Sequence, residues 1–268
     1  MPSAGPRAFR TSRAFLVRSM DAGETDRRLS FFTEAEGLVP MVAKAARRSR
    51  KRFGGVLQKY FLLDVSWTEA PARMAVLGSA AILESFWEIV ADWERVRYAD
   101  YLLELSAALF PQPGPKPKAF EMLLAGMRSL SLGEAAAASG RKAEAAFLAM
   151  GGWGPNLASC RACGRPAARS LRQAGVVPGK TGGAAFRFLP SEGGILCADC
   201  SGKAGIPLSL GAVKTWRALQ SSSPAVVGRV RITDTILDEL CMVIPKYIEY
   251  NLGRPLRSLG GHPSFRKG

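Results

Sequence analysis

The sequence predicts an α+β protein, in which an N-terminal five-stranded OB-fold barrel is followed by an all-helical domain with an inserted four-cysteine zinc knuckle. Three observations support this prediction. Short strand-like segments fill residues 1–78, helical periodicity follows, and two Cys-x-x-Cys pairs interrupt the second part. We therefore expect a nucleic-acid-binding barrel at 1–78 and a helical domain at 79–268 with its zinc motif at 160–200.

Turn residues divide the N-terminal part into strand-like segments. Asp21-Ala-Gly-Glu and Glu36-Gly37 have the turn chemistry that separates hairpin strands, and Pro40 suggests that the third strand lies at an edge. Five short strands suit a small, nearly closed barrel such as an OB-fold, whose open face commonly holds single-stranded nucleic acid. The predicted strands are 13–18, 28–33, 38–43, 60–67 and 73–77.

From residue 79 the apolar residues recur at helical spacing, which predicts amphipathic helices. Further helices are predicted at 119–131, 141–150, 208–219 and 234–250, with Pro245 kinking or interrupting the last of them. An aromatic stripe on the first helical stretch could stack bases, but such a stripe is more typical of a packed core, to which we assign it. The stripe comprises Phe86, Trp87, Trp93, Tyr98 and Tyr101.

Two doubled cysteine motifs predict one structural zinc ion. Cys160-x-x-Cys163 and Cys197-x-x-Cys200 can close a tetrahedral thiolate cage, and four protein ligands leave no open position for water or substrate. Two disulfides, a redox pair and buried free thiols are the alternatives. The 33-residue linker 164–196 is rich in Gly and contains Pro, and we expect a floppy insertion there. The fifth cysteine, Cys241, is expected to be an inert core thiol.

Charge indicates a polyanionic partner. The chain has 37 Lys and Arg against 22 Asp and Glu, a net charge of +15, which favours nucleic acid or an anionic membrane. No apolar stretch is long enough to span a membrane, and the N-terminus lacks the apolar core of a secretory signal. These features, together with cysteines suited to a reducing compartment, predict a cytoplasmic protein.

A basic segment at 44–52 is the strongest feature besides the cysteines. It holds six cations in nine residues and no acid, and its place after the third strand would put it beside an OB-fold groove. A solvated basic face without a ligand is the alternative. Phe53 and one of Phe31 and Phe32, whose side chains alternate, are possible stacking partners. The predicted DNA-binding residues are Arg27, Arg28, Lys44, Arg47, Arg48, Arg50, Lys51, Arg52 and Lys59.

Catalytic patterns are missing from the sequence. Its one histidine, His262, lies in the expected tail, and neither a phosphate-binding Gly-x-x-x-x-Gly-Lys loop nor a Ser/His/Asp set is present. We therefore expect a protein that is not an enzyme. A nuclease or zinc hydrolase would need clustered acids or a metal site with fewer protein ligands, and an adaptor that only docks proteins is the other alternative.

Six segments, taken in order, point to a known family: 21–26, 32–38, 43–48, 98–105, 155–164 and 193–200. Together they resemble the RecO family of bacterial DNA repair proteins. The resemblance implies a recombination mediator in the cytoplasm, associated with the nucleoid, that binds single- and double-stranded DNA and anneals complementary strands. It also implies partnership with RecR, contact with the acidic tail of single-strand binding protein (SSB), and help in loading RecA onto SSB-coated strands. Some members of the family lack the cysteines, which implies a structural metal.

Overall fold

A computed structural model describes residues 8–48, 53–70, 73–167, 185–221 and 223–259. The chain forms two compact units, Met1–Gly133 and Glu134–Gly268. The first unit contains the barrel together with two helices, so it continues well past the expected border at residue 78. That border stays a prediction about where a separately folding domain ends.

The first unit is built on a closed barrel with strand order β1-β2-β3-β5-β4. All five predicted strands form, and the predicted fold class is confirmed. The expectation that the third strand lies at an edge is wrong, because β3 pairs with β2 along its length and with β5 in parallel at Met41 and Val42. Pro40 lies next to this short parallel contact and outside it. The strands are β1 (Phe9–Ala22), β2 (Asp26–Thr33), β3 (Gly37–Ala43), β4 (Phe61–Ala70) and β5 (Arg73–Ser85).

Side-chain alternation decides what the barrel buries. Leu16 and Phe31 are paired residues on β1 and β2 whose side chains point into the core, whereas the next pair, Phe15 and Phe32, points outward. Two helices cover that outward face, α1 (Trp93–Leu109) and α2 (Pro117–Ser131). The ring of Phe120 in α2 lies 5.6 Å from that of Phe15 and 6.4 Å from that of Phe32. Both faces of the barrel wall are therefore buried at this end.

The predicted start of the helical region at residue 79 is wrong. Ser79–Ser85 continue β5 and pair with β4 as far as Phe61 opposite Ser85. A short apolar run such as Ile82-Leu83 fits a strand as well as a helix, so its periodicity could not decide between them. A 3-10 helix (Trp87–Ala91) follows, and the side chain of Asp92 accepts a hydrogen bond from the N–H of Glu94 to cap α1.

The aromatic stripe is only partly core. Phe86, Tyr98 and Tyr101 are buried as predicted, but the side chains of Trp87 and Trp93 are each 65% exposed. The prediction is wrong for these two tryptophans because Trp87 begins the 3-10 helix and Trp93 is the first residue of α1. They do not share one helix face with the buried tyrosines.

The second unit combines helices with a small sheet that was not predicted from the sequence. Phe188 of this sheet packs on Trp216 at 4.9 Å and on Tyr247 at 5.1 Å between ring centroids. Strands of three or four residues are too short for a periodic signal, which explains why they were missed. The helices are α3 (Ala136–Met150), α4 (Ala198–Ser201), α5 (Leu210–Leu219), α6 (Pro224–Arg229) and α7 (Asp234–Leu252), and the sheet has the order β7-β6-β8 with β6 (Phe186–Leu189), β7 (Gly194–Cys197) and β8 (Ile206–Leu208).

The predicted helices of this unit are confirmed, and the two short helices α4 and α6 were missed. Pro245 does not interrupt α7, which runs through it to Leu252. Residues 168–184 of the expected floppy insertion lie outside the described residues, whereas 186–196 of the same linker lie in β6, a 3-10 turn and β7, which ends at Cys197. Among the residues described, no helix is both long and apolar enough to cross a membrane.

Candidate nucleic-acid interface and metal centre

The β1–β2 turn and the first part of the basic segment form one surface. The backbone N–H of Ala45 donates to Oδ1 of Asp26 at 2.8 Å, and that of Arg47 donates to the carbonyl of Thr25 at 3.0 Å. The Ala45 N–H lowers the pKa of the Asp26 carboxyl, so the carboxylate stays ionised at neutral pH. These contacts hold residues 44–48 against the hairpin.

Acids of the hairpin lie beside several of the predicted DNA-binding cations. Asp21 pairs with Arg27 at 3.3 Å and with Arg47 at 3.8 Å, and Glu24 lies 3.9 Å from Arg48. All these side chains are substantially exposed, so each pair contributes little to stability. Their effect is to lower the positive potential that the basic segment presents.

The structure brings together five of the predicted residues and separates one from them. Arg50, Lys51 and Arg52 lie outside the described residues. Lys59 lies elsewhere, because its Nζ pairs with Oδ1 of Asp100 in α1 at 2.8 Å. Val42, which lies beside the basic segment, pairs with Val76 near one end of β5. Lys59 lies just before Phe61, the first residue of β4, which pairs with Ser85 at the other end of β5. Nine residues of β5 separate these two ends, or about 30 Å of strand. The five residues that come together are Arg27, Arg28, Lys44, Arg47 and Arg48.

Arg18 joins this surface, although the sequence analysis did not select it. It lies opposite Ser30, and Arg28 lies opposite both Met20 and Val42, so these side chains share the outer face of β1, β2 and β3. Arg18 and Arg28 are exposed and, in the part of the chain that the structure describes, make no ion pair. We use the name basic face for Arg18 and Arg28 on this outer face together with Lys44, Arg47 and Arg48 of the adjoining basic segment.

A β-bulge explains why Arg18 was missed. The register of β1 on β2 shifts between Leu16 and Arg18, so that Val17 is an extra residue. Without the bulge, strict alternation would put Arg18 on the same inner face as Leu16. The only signal available in the sequence was the polarity of Arg18 at a position that alternation assigns to the core.

The predicted stacking residues are wrong. Phe31 and Phe53 belong to the barrel core, and Phe32, which does point outward, lies under Phe110 and Phe120. All three are buried, so none can present a ring to a base. Alternation does place Phe31 inward and Phe32 outward, but the sequence of the strand does not show that helices cover the outward position.

The four cysteines of the two predicted pairs converge. Their Sγ atoms all lie within 4.8 Å of one another, and those of Cys163 and Cys197 are 3.8 Å apart. Sulfurs around one tetrahedral zinc, at about 2.3 Å from the metal, lie about 3.8 Å apart, whereas a disulfide is about 2.05 Å long. The cysteines are free thiols, and the cluster could hold a metal ion.

Backbone contacts join the two halves of this cluster. The N–H of Arg161 donates to the carbonyl of Ile195 at 2.9 Å, and that of Ile195 donates to the carbonyl of Asn156 at 3.2 Å. Gly194 is required here, because a Cβ at this position would lie 2.5 Å from the carbonyl oxygen of Asn156. A salt bridge of 2.6 Å between Arg165 and Asp199 adds a second link.

Electrostatics favour a cation within the cluster. Burial raises the pKa of the Cys160 thiol, but N–H groups of Cys163, Cys197 and Ala162 donate to its sulfur and bring the pKa down to about 6. The thiol of Cys200 donates to the sulfurs of Cys197 and Cys163, which raises its pKa to about 12. Four thiolates this close would repel one another, and a divalent cation removes that repulsion.

Cys241 stands apart from the cluster. It lies in α7, is partly buried rather than fully in the core, and burial raises the pKa of its thiol. A raised pKa keeps the group in the thiol form at neutral pH, in agreement with an inert cysteine.

Two family models match most of the chain. The model described as Recombination protein O N terminal matches residues 9–86, which include the whole barrel. The model described as Recombination protein O C terminal matches residues 90–260, which include α1, α2 and most of the second unit with its cysteine cluster.

Curated relatives match over nearly their full length, and three of them, each named DNA repair protein RecO, illustrate the similarity. The protein of Dehalococcoides mccartyi is 30% identical over 255 residues, covering 95% of this chain and 94% of the relative. A Roseiflexus protein is 31% identical over 255 residues, covering 94% and 84%. An Anaeromyxobacter protein is 30% identical over 244 residues, covering 90% and 91%.

Proposed function

This chain belongs to the RecO family of DNA repair proteins, and we propose that it is a non-enzymatic recombination mediator that binds single- and double-stranded DNA and anneals complementary strands. The observation that carries the proposal is the basic face, where Arg18 and Arg28 lie exposed on the barrel beside the basic segment. A chain of net charge +15 that concentrates cations on an OB-fold-like barrel suits a phosphate backbone.

The proposed mechanism is electrostatic. Cations of the basic face neutralise phosphates on two strands, so that the repulsion between complementary strands falls and base pairing proceeds without ATP. The residues proposed to contact DNA are Arg18, Arg27, Arg28, Lys44, Arg47 and Arg48, with Arg50, Lys51 and Arg52 of the same segment. Lys59 is left out because its charge is taken up by Asp100 at 2.8 Å, far along β5 from the others.

The partners and the cellular location are proposed from membership of the family and not from the geometry. We propose that the protein acts with RecR, contacts the acidic tail of SSB, and helps load RecA onto SSB-coated single strands. The same reasoning proposes a cytoplasmic protein that associates with the nucleoid. The net positive charge supports contact with DNA and with acidic tails alike.

The cysteine cluster is proposed to hold one zinc ion. Cys160, Cys163, Cys197 and Cys200 are the ligands, and the 3.8 Å sulfur separation fits a tetrahedral zinc. Bound zinc would supply charge neutralisation and a cross-link, with no open position for substrate. The chain's own residues hold the loops in place, since the Asn156 and Arg161 backbones already bond to β7. The metal is therefore proposed as structural.

An annealing assay tests the proposal. Purified protein should accelerate hybridisation of complementary oligonucleotides at low ionic strength, with no nucleotide added. The variant with Arg47, Arg48, Arg50, Lys51 and Arg52 changed to Ala should anneal more slowly, and its binding to a single strand should depend less steeply on salt. Hybridisation no faster than in buffer would overturn the proposal. Cleavage of labelled DNA in the presence of magnesium would instead favour an enzyme.

A further inference from the structure

Several large apolar side chains of the first unit are exposed along residues 82–93 and at the end of α2. Ser131 at the end of α2 donates to Glu88 in the 3-10 helix at 2.8 Å, which brings the end of α2 beside the segment that leaves β5. Large exposed apolar groups that cluster in this way mark interaction sites, whereas single ones do not. The members of this apolar surface are Ile82, Leu83, Trp87, Val90, Trp93 and Leu132.

An unpaired strand edge adjoins the apolar surface. β5 pairs with β4 along one edge as far as Ser85, whereas β3 pairs with its other edge only at Ala75 and Val76. In the part of the chain that the structure describes, no strand pairs with this other edge from Ser79 to Ser85. Such an edge can accept an extended segment through main-chain hydrogen bonds. The apolar side chains of Ile82 and Leu83 lie on the same stretch.

The segment that carries most of the apolar surface is acidic, and the cations beside it are Arg95, Arg97 and Arg128. Residues 79–94 contain four acids and neither Lys nor Arg, in a protein of net charge +15. Glu84 and Asp92 are paired with Arg128 and Arg95, whereas Glu88 and Glu94 make no ion pair among the described residues. A hydrogen bond from its own backbone N–H and one from Ser131 lower the pKa of Glu88, so it is ionised at neutral pH.

The unpaired acids favour some kinds of binding partner over others. Unpaired carboxylates repel a phosphate backbone and an acidic peptide, and they attract lysine and arginine side chains. Trp93 already accepts one cation, since the guanidinium of Arg97 lies 5.3 Å from its ring centroid, and the exposed ring of Trp87 offers a second site of this kind. A second copy in a two-fold contact would place the Glu88 and Glu94 carboxylates of both copies in one interface, which adds like charges there.

We propose that the apolar surface and the neighbouring edge of β5 bind an extended segment of a partner protein that is apolar and positively charged. The segment adds to β5 as a strand through residues 79–85, its apolar side chains cover Leu83 and Trp87, and its basic side chains meet Glu88 and Glu94. This site lies away from the basic face and does not depend on the proposed DNA function.

Peptide selection tests the proposal. A displayed library of random twelve-residue peptides is selected on the full chain and then counter-selected on the variant Leu83→Ser/Trp87→Ser. We expect enriched peptides with net positive charge and alternating apolar residues. A fluorescent synthetic copy should bind the wild type at least tenfold more tightly than this variant, by anisotropy. Phe9→Ser is the matched control, because Phe9 on β1 is 67% exposed and outside the site.

A charge variant tests the electrostatic part of the proposal separately from the apolar part. Glu88→Lys/Glu94→Lys keeps the apolar side chains and should weaken the same peptide at least tenfold, with thermal melting to verify folding. No enrichment, enrichment of acidic peptides, or equal binding by the variants would overturn the proposal. So would a tenfold loss of single-strand DNA affinity in Leu83→Ser/Trp87→Ser, which indicates base stacking, or a change from dimer to monomer, which indicates self-association.

Discussion

Oδ2 of Asp21 lies 3.8 Å from Nε of Arg47, and Oδ1 of the same carboxylate lies 3.3 Å from Nε of Arg27. One acid of the β1–β2 turn thus faces two of the cations proposed to contact DNA. In the free protein this carboxylate competes with phosphate for both arginines. The hairpin therefore moderates the charge of the basic face as well as positioning it.

Removing that carboxylate should strengthen DNA binding. Asp21→Asn frees Arg27 and Arg47 from an exposed pair worth about 0.2–1 kcal/mol, so we expect affinity for a single strand to rise by about two- to fivefold at low salt. Fluorescence anisotropy measures this. Asp64→Asn on β4 is the matched control, since it changes the net charge equally at an exposed position outside the basic face. An equal rise in both variants would mean that only net charge matters.

The two unpaired arginines of the barrel should account for part of the salt dependence. Replacing Arg18 and Arg28 with Ala should reduce the slope of log affinity against log salt by about 0.7 for each phosphate that is no longer neutralised. Arg10→Ala is the control, because Arg10 lies 3.5 Å from Glu69 and 3.8 Å from Glu36. A slope unchanged by the double substitution would remove Arg18 and Arg28 from the interface.

Metal content checks the cysteine cluster. The wild type should carry about one zinc per chain, and Cys160→Ser should lose most of it together with thermal stability, because zinc contributes to folding free energy at such sites. Atomic absorption and circular dichroism provide the two readouts. Cys241→Ser should keep its zinc, since that thiol lies outside the cluster. Zinc below a tenth of an equivalent in the wild type would contradict the assignment.

Tyr60 should make stability depend on alkaline pH. Its hydroxyl donates to Asp100 at 2.8 Å, and burial together with this bond raises the pKa of Tyr60. The native state thus favours the protonated phenol, whose contribution is fully present below the unfolded pKa of about 10 and is lost as pH rises through the native pKa. We expect Tyr60→Phe to cost about 1 kcal/mol at pH 7.

That cost should shrink above pH 10. Urea unfolding of the wild type and Tyr60→Phe at pH 7 and pH 10.5 measures it. Comparing the two proteins isolates Tyr60, because they differ only in its hydroxyl. A difference that stays constant across this range would show that the hydroxyl makes no pH-dependent contribution.

Local patterns in the sequence were enough for much of the fold and for the metal cluster. Turn residues such as Gly37 separate strands that alternation identifies, so all five barrel strands could be predicted. The spacing of the cysteines predicted their convergence because two residues between ligands form a tight turn. The small sheet of the second unit could not be predicted, since strands such as Ile206–Leu208 are too short to show a clear alternation of apolar and polar residues.

The sequence by itself determined the barrel strands, most helices, the position of the cysteine cluster and the excess of positive charge. Only the tertiary structure decided which side chains are accessible. A bulge at Val17 turns Arg18 outward, two helices bury Phe32, Asp100 pairs with Lys59, and Trp87 stays exposed. The physical reason is that periodicity depends on neighbours along the chain, whereas exposure and charge pairing depend on segments that are distant in sequence and packed together only in the fold.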